Sequence, residues 1–258
     1  MTLMQLEFQK SLLENHLAFA AFHRGKVTRQ DGVIYIESSK PDFCSAIPEE
    51  NSYLPDVVKN HNIVRLLPWS GINAKELTDK GFCHTKGLTY MVLKEFDASG
   101  NKANDVKINI VSDSCGMDLF TDIQTRGFLE KEESYEDWYS WLGKYNQLNL
   151  NASNQIFYIG SVAGKPAGVT LLLMTKGIGG IYAVATLPEY RKKGISTALL
   201  RRAISDANEQ GCSTIALQAL KDSYAESFYG RVGFYTSFVS LIYELQEKGG
   251  KDKGEQTN

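Results

Sequence analysis

V-A-T-L-P-E-Y-R-K-K-G-I-S-T-A-L-L, residues 184–200, decides how this chain is read. An apolar run over 180–186 has strand character, and Pro188 withholds a backbone donor and breaks the ladder. Three consecutive cations follow, Arg191, Lys192 and Lys193, then Gly194, then a helical pattern from about Ile195. The first turn of a helix leaves its backbone N–H groups unpaired, and its dipole end is positive. Glycine allows close backbone approach to an oxygen, and the small Ser196 and Thr197 keep that approach open. Flanking cations add a screened attraction. A diphosphate fits such a cradle. The bland alternative is a solvated basic turn ahead of an ordinary helix, so the elements around the loop carry the decision.

Working outward, residues 106–111 read as a short strand, and 115–127 and 135–147 as helices. Residues 155–161 and 167–174 read as a hairpin about the turn at 162–165. Residues 180–186 form the next strand. An amphipathic helix over 195–211 carries Ile195, Leu199, Leu200, Ala203 and Ile204 on one face and stops at Gly211. A strand at 213–220, a short helix at 225–232 and a strand at 238–245 complete the order β-α-α-β-β-β-α-β-α-β. That order predicts an α/β fold with a mixed sheet.

In this context P-E-Y-R-K-K-G-I-S resembles the acyl-CoA signature of the GNAT superfamily of N-acetyltransferases. That signature is Arg or Gln, two variable residues, Gly, a variable residue, then Gly or Ala. Arg191, Gly194 and Ser196 hold its defined positions, with Ser196 a small departure. The resemblance extends over about 106–245, where the element order is that of the superfamily. It implies that Val184, Ala185 and Thr186 hydrogen-bond the pantetheine arm through their backbone. It places the diphosphate on the amides of Lys192, Lys193, Gly194, Ile195, Ser196 and Thr197, beside Arg191. The segment A-E-S-F-Y-G-R-V-G-F (225–234) resembles the second signature and puts Tyr229 where the departing CoA thiolate is commonly protonated. Asp222 stands where a cofactor-contacting Asn is frequent. Acetyl-CoA is the implied acyl donor, with no metal, and the implied acceptor is a primary amine of a small molecule or peptide. Attack is direct, in a ternary complex. A non-catalytic acyl-CoA sensor is the alternative. No general base stands out. Tyr182 could act through water, Glu133, Glu136 and Asp137 read as a solvated face, and the Tyr135, Trp138, Tyr139 and Trp141 cluster reads as mostly core.

The first hundred residues resemble a worn copy of the later segment. Strands are expected at 33–36, 43–47, 63–68 and 89–96, and helices at 53–60 and 73–80. Residues 63–82 align without gaps over 215–234, matching Ile63 to Ile215, Gly81 to Gly233 and Phe82 to Phe234. Pro48-Glu49 echoes Pro188-Glu189 without the basic residues and glycine, and Leu77 replaces Tyr229. The expectation is two GNAT-like domains. A degenerate one spans 1–103 and shapes the acceptor pocket without binding CoA. A catalytic one spans 104–246. A polar linker falls in 97–105, and a disordered tail spans 247–258. Two unrelated α/β halves are the alternative.

Bulk properties bound the rest. A formal net charge of −2 argues against a nucleic-acid binder. No apolar run approaches the roughly twenty residues that span a bilayer, and the N-terminus lacks a signal peptide's basic flank. Cys44, Cys83, Cys115 and Cys212 show no C-x-x-C spacing and read as reduced core thiols of a cytoplasmic protein.

Overall fold

The computed structural model describes residues 1–49, 61–96, 106–129 and 133–246. The expected helix at 53–60, the linker at 97–105 and the tail from 247 lie outside the described residues. Eleven strands form one sheet: β1 (Lys26–Gln30), β2 (Val33–Glu37), β3 (Ser45–Pro48), β4 (Ile63–Leu66), β5 (Phe82–Leu93), β6 (Val106–Ile110), β7 (Gln155–Val162), β8 (Lys165–Thr175), β9 (Ile178–Thr186), β10 (Thr214–Leu220) and β11 (Phe234–Leu245). The helices are α1 (Leu3–His23), α2 (Ala74–Asp79), α3 (Ser114–Phe128), α4 (Tyr135–Asn149), α5 (Ile195–Glu209) and α6 (Tyr224–Arg231). The mixed α/β fold matches the expected class.

The spatial order is β1-β2-β3-β4-β11-β5-β10-β9-β8-β7-β6. Apart from β6, this order reads alike from both ends. β1, β2, β3 and β4 pair antiparallel, antiparallel and parallel, as do β7, β8, β9 and β10. At the centre each half closes the other: β11 pairs with β4, and β5 pairs with β10. β5 and β11 then pair with each other from Phe234↔Leu93 to Leu245↔Phe82. The extra residue of each bulge, Thr85 on β5 and Ser237 on β11, is the fourth of its strand. This reciprocal closure is not part of the sequence reading. β5 also starts at Phe82 rather than 89, because exposed Cys83, His84, Thr85 and Lys86 hide its alternation.

Why these segments take these forms follows from burial. β8 is apolar on both faces, from Ala167 to Leu173, because helices cover both sides of it. On one face Phe120, Met117 and Ile123 of α3 meet Phe157, Leu171 and Tyr182. On the other, Ile195, Leu199, Leu200, Ala203 and Ala207 of α5 meet Tyr158, Leu172, Ile181 and Leu217. Emptying such a site, for example by Phe120→Ala, costs about 3–5 kcal/mol.

α1 has no counterpart in the sequence reading. It shows no single apolar stripe, because it buries Gln9, Asn15 and His23 along with Leu12, Leu13 and Leu17. Its polar groups are met by the sheet and by α4. Asn15 Nδ2 donates to Thr175 Oγ1 at 2.7 Å, and His23 Nε2 lies 2.6 Å from Gln155 Oε1. Gly180 makes this docking possible, since a Cβ there would collide with the side-chain oxygen of Asn15. The cysteines depart from expectation: Cys83 and Cys115 are exposed, Cys44 is half-buried, and only Cys212 is a core thiol. A small polarizable side chain carries no sequence mark of its depth.

Candidate active site

The site begins where two parallel strands part. β9 and β10 pair from Thr214↔Ile178 to Leu217↔Ile181 and no further. Tyr182 to Thr186 therefore have no partner on that side, while β8 holds their other edge. Two β9 residues, Ala183 and Val184, oppose the single Thr170 of β8, and Ala183 takes a left-handed φ of 51°. Such a bulge re-aims backbone groups at the edge of an opening. The second wall, Gln218 to Leu220 of β10, is backed by Tyr90 to Leu88 of β5. The N-terminal half thus supplies the support of that wall.

Beyond Thr186 the chain makes a 3-10 turn over Pro188–Tyr190 and enters α5 through Gly194. Gly194 sits at φ 78°, ψ 4°, left-handed geometry that glycine adopts without a Cβ penalty. Lys192 is left-handed too, at φ 62°. The other five α-helices among the described residues are each capped by a side chain at Thr2, Asn73, Asp113, Ser134 or Ser223. α5 has no side-chain cap, so the amides of its first turn stay available. Lys192 and Lys193 are exposed around them. Thr186 Oγ1 and Ser196 Oγ lie 2.9 Å apart and join the end of β9 to the start of α5. Thr197 is buried, and Ile195 is in the core beneath α5.

Arg191 acts as a brace. Its Nε donates to Thr186 O at 3.3 Å, and its Nη2 donates to Gly127 O at 3.2 Å. The second contact sets a cation at the C-terminal end of α3, where the helix dipole favours it. Arg191 thereby ties the loop to the strand end and to the neighbouring helix.

Tyr229 lies in α6, only 7% exposed, in the same apolar cluster that Val184 packs against. Its ring meets Phe234 edge-on at 6.0 Å. Burial pushes its phenol well above the ordinary tyrosine value, so it keeps its proton at neutral pH. No described residue accepts that proton, and the hydroxyl is not among the fully enclosed polar atoms. Asp222 precedes α6, the helix that carries Tyr229. It occupies the β10–α6 turn at φ 62°, with its side chain 82% exposed and paired to Lys221 Nζ at 2.8 Å. Its backbone N–H donates to Glu226 Oε2 at 2.5 Å, and Glu226 Oε1 accepts from Thr89. Glu226 therefore has both oxygens engaged.

Tyr182 does not have the character of a base. It donates to Asn15 Oδ1 at 2.6 Å, and burial raises its pKa well above 10. In the aromatic cluster of α4 only Trp141 is buried, with its ring stacked on Phe43 at 5.0 Å. Sequence reasoning missed the residues that α1, β4 and β5 bring to the opening: His16, Arg24, Arg65 and Tyr90. Their one signal was a cluster of polar residues at inward positions of an N-terminal helix.

Residues 117–234 match the Acetyltransferase (GNAT) family. An uncharacterized N-acetyltransferase of Methanocaldococcus jannaschii is 23% identical over 167 residues, 58% of this chain and 73% of that protein. A GCN5-related N-acetyltransferase from Kribbella flavida superposes with a TM-score of 0.63 at 14% identity, covering 92% of this chain and 94% of that one. A functionally unknown conserved protein from Staphylococcus epidermidis gives 0.64 at 16% identity, covering 87% and 95%. At these identities the structural likeness is one of fold, and it runs through both halves. The stretch that matches the family carries the parted strands, the uncapped helix and Tyr229. Over those residues the chain is similar to the GNAT family of acetyltransferases.

Proposed function

We propose that this chain is an N-acetyltransferase that moves an acetyl group from acetyl-CoA to a primary amine of a small molecule or peptide by direct attack in a ternary complex. The observation that carries the reading is the parting of β9 from β10 at Tyr182, beside the only α-helix among the described residues that lacks a side-chain cap. The amides of Lys192 to Thr197 receive the diphosphate, with Lys192 and Lys193 adding attraction. The unpaired edge of Val184, Ala185 and Thr186 aligns the pantetheine arm. A backbone N–H near Val184 supports the developing oxyanion. Tyr229, still protonated, gives its proton to the leaving sulfur.

The sequence after β3 carries neither the cations nor the glycine of this cradle, and the first half is read as a partner that shapes the acceptor pocket. It is a diverged copy of the second half, with β4, α2 and β5 answering to β10, α6 and β11. Calorimetry with acetyl-CoA, followed by thiol release across an amine panel, tests the whole reading. Failure to bind acetyl-CoA sinks it. Binding without turnover across the panel makes the chain an acyl-CoA sensor instead.

A further inference from the structure

On the α1 face of the opening lies a group of hydrogen-bond donors without acceptors. Arg65 of β4 is 7% exposed, and among the described residues no carboxylate pairs with it. Its Nη2 donates to Tyr90 Oη at 2.7 Å, and its Nε has no partner. Tyr90 Oη lies 2.7 Å from His16 Nδ1. Arg65 can only donate, so Tyr90 accepts from it and passes its own proton to His16 Nδ1. That leaves the proton of neutral His16 on Nε2, for which no described residue is an acceptor. Gln218, directly opposite Tyr90 in the sheet, turns its amide toward the Tyr182 hydroxyl, and its Nε2 finds no partner within 3.5 Å. Gln218 and Tyr182 are the first residues past the last β9–β10 pair, so this group adjoins the point where the strands part.

A second cation acts on the same histidine. Arg24, at the end of α1, lies over the Phe43 ring at 3.9 Å and near Trp141 and Phe19, again with no carboxylate among the described residues. Burial, then Arg65, then Arg24, hold His16 well below the usual histidine range. A buried cation is ordinarily paired, because the lost hydration is otherwise uncompensated. An acceptor-only anion answers this arrangement. A carboxylate has two oxygens and takes a guanidinium in bidentate fashion.

We infer that the opening takes a substrate carboxylate, bound by Arg65 with Gln218 and the Nε2–H of His16, while Arg24 adds its charge. This rests on the acetyltransferase reading and specifies its substrate class. The carboxylate belongs either to the amine acceptor or to a dicarboxylic acyl chain, and both would present the same group.

The experiment uses the full chain, with Arg65→Met beside it. Each is first titrated with CoA by calorimetry, which tests the underlying reading separately. Thiol release is then followed with free amino acids against their carboxamides, and with acetyl-CoA against succinyl-CoA. We expect a preference of about tenfold or more for one carboxylate-bearing partner, falling to near one in Arg65→Met while CoA affinity holds. An acceptor preference places the carboxylate on the amine, and a succinyl preference places it on the acyl group. Thermal stabilisation by N-acetyl amino acids, compared with their carboxamides at equal ionic strength, gives a readout without turnover. Arg65→Met should keep the native thermal midpoint or raise it, since it removes an unpaired buried charge. Equal response to acid and amide in both assays, or a carboxylate preference that survives in Arg65→Met, overturns the inference.

Discussion

The two halves of this molecule share a strand pattern and differ at one loop. β3 meets β4 in parallel at Ala46↔Val64, as β9 meets β10 over four positions. After β9 come Arg191, Lys192, Lys193 and Gly194, while after β3 the chain reads Glu49, Glu50, Asn51 and Ser52. Where α6 presents Tyr229, the matching place in α2 holds Leu77, fully buried against Phe82, Val64 and Tyr243. A scaffold alone does not make an anion site; left-handed glycine, free amides and cations at one turn do. In exchange, the first half gives the second a strand, β5, and a helix, α1, that the family-matching stretch lacks. The proposed anion loop of the second half thus stands beside walls that the first half supplies.

The largest expected effect tests whether the halves are separable. Because β5 and β11 are reciprocally placed, urea unfolding should be one cooperative transition, coincident by fluorescence and circular dichroism. Two separate transitions would break the picture of halves joined through one sheet. The seam should also respond to acid. Burial lowers the His23 pKa to about 4, despite its bond to Gln155. A base whose folded pKa lies below its unfolded value binds more protons when unfolded. Its contribution is therefore present above about pH 6.5 and is lost as pH falls toward 4. The full loss is of order 3 kcal/mol for such a shift. His23→Gln should flatten the dependence in that window, and an unchanged slope would remove His23 as its source.

Next in size is the loop itself. Arg191→Glu withdraws the donors to Thr186 O and Gly127 O and sets a negative charge at the cradle. CoA affinity should fall about 100-fold, near 2.7 kcal/mol, with the unfolding midpoint close to native because the side chain is exposed. Unaltered affinity in calorimetry would count heavily against the loop as the diphosphate site. Tyr229→Phe comes third. Turnover should fall about 100-fold, the lower end of general acid effects. CoA affinity should stay within about twofold, since an unpartnered hydroxyl is all that leaves. Weakened CoA binding with unchanged turnover would assign Tyr229 to packing instead.

How much of this was legible in the sequence follows from which physics is local. Gly194, the cations and the long helix declare themselves within a dozen residues, and the predicted strand end at Thr186 is also the observed one. The repeat of strand, helix, Gly-Phe and strand was visible in 63–82 and 215–234, but not which half each closing strand would join. Strand partners far apart in the chain, such as Leu66 and Leu241, leave no local mark. α1 was invisible because its buried Asn15 and His23 look like surface residues until Thr175 and Gln155 are seen to satisfy them. The donors at Arg65, Tyr90 and Gln218 come from three different strands, and only the fold brings them together.

Asp222 carries the smallest expected effect and makes the comparison sharper. Its position matches one that often holds an Asn touching the cofactor, yet its carboxylate faces solvent and meets Lys221, itself exposed. A surface pair of this kind is screened by water and salt. Its backbone is left-handed, a conformation that Asn tolerates as readily as Asp. Asp222→Asn should therefore leave the unfolding midpoint unchanged, because the turn's bond from the Asp222 N–H to Glu226 survives the substitution. CoA affinity should move by less than about twofold, the change from removing one hydrated, screened charge. A clear gain in affinity would mean that the carboxylate had been repelling a phosphate, and a clear loss that it had been accepting a bond from the cofactor. Either result would extend the binding site from the α5 loop to the β10–α6 turn, and with it the region in which the second half departs from the first.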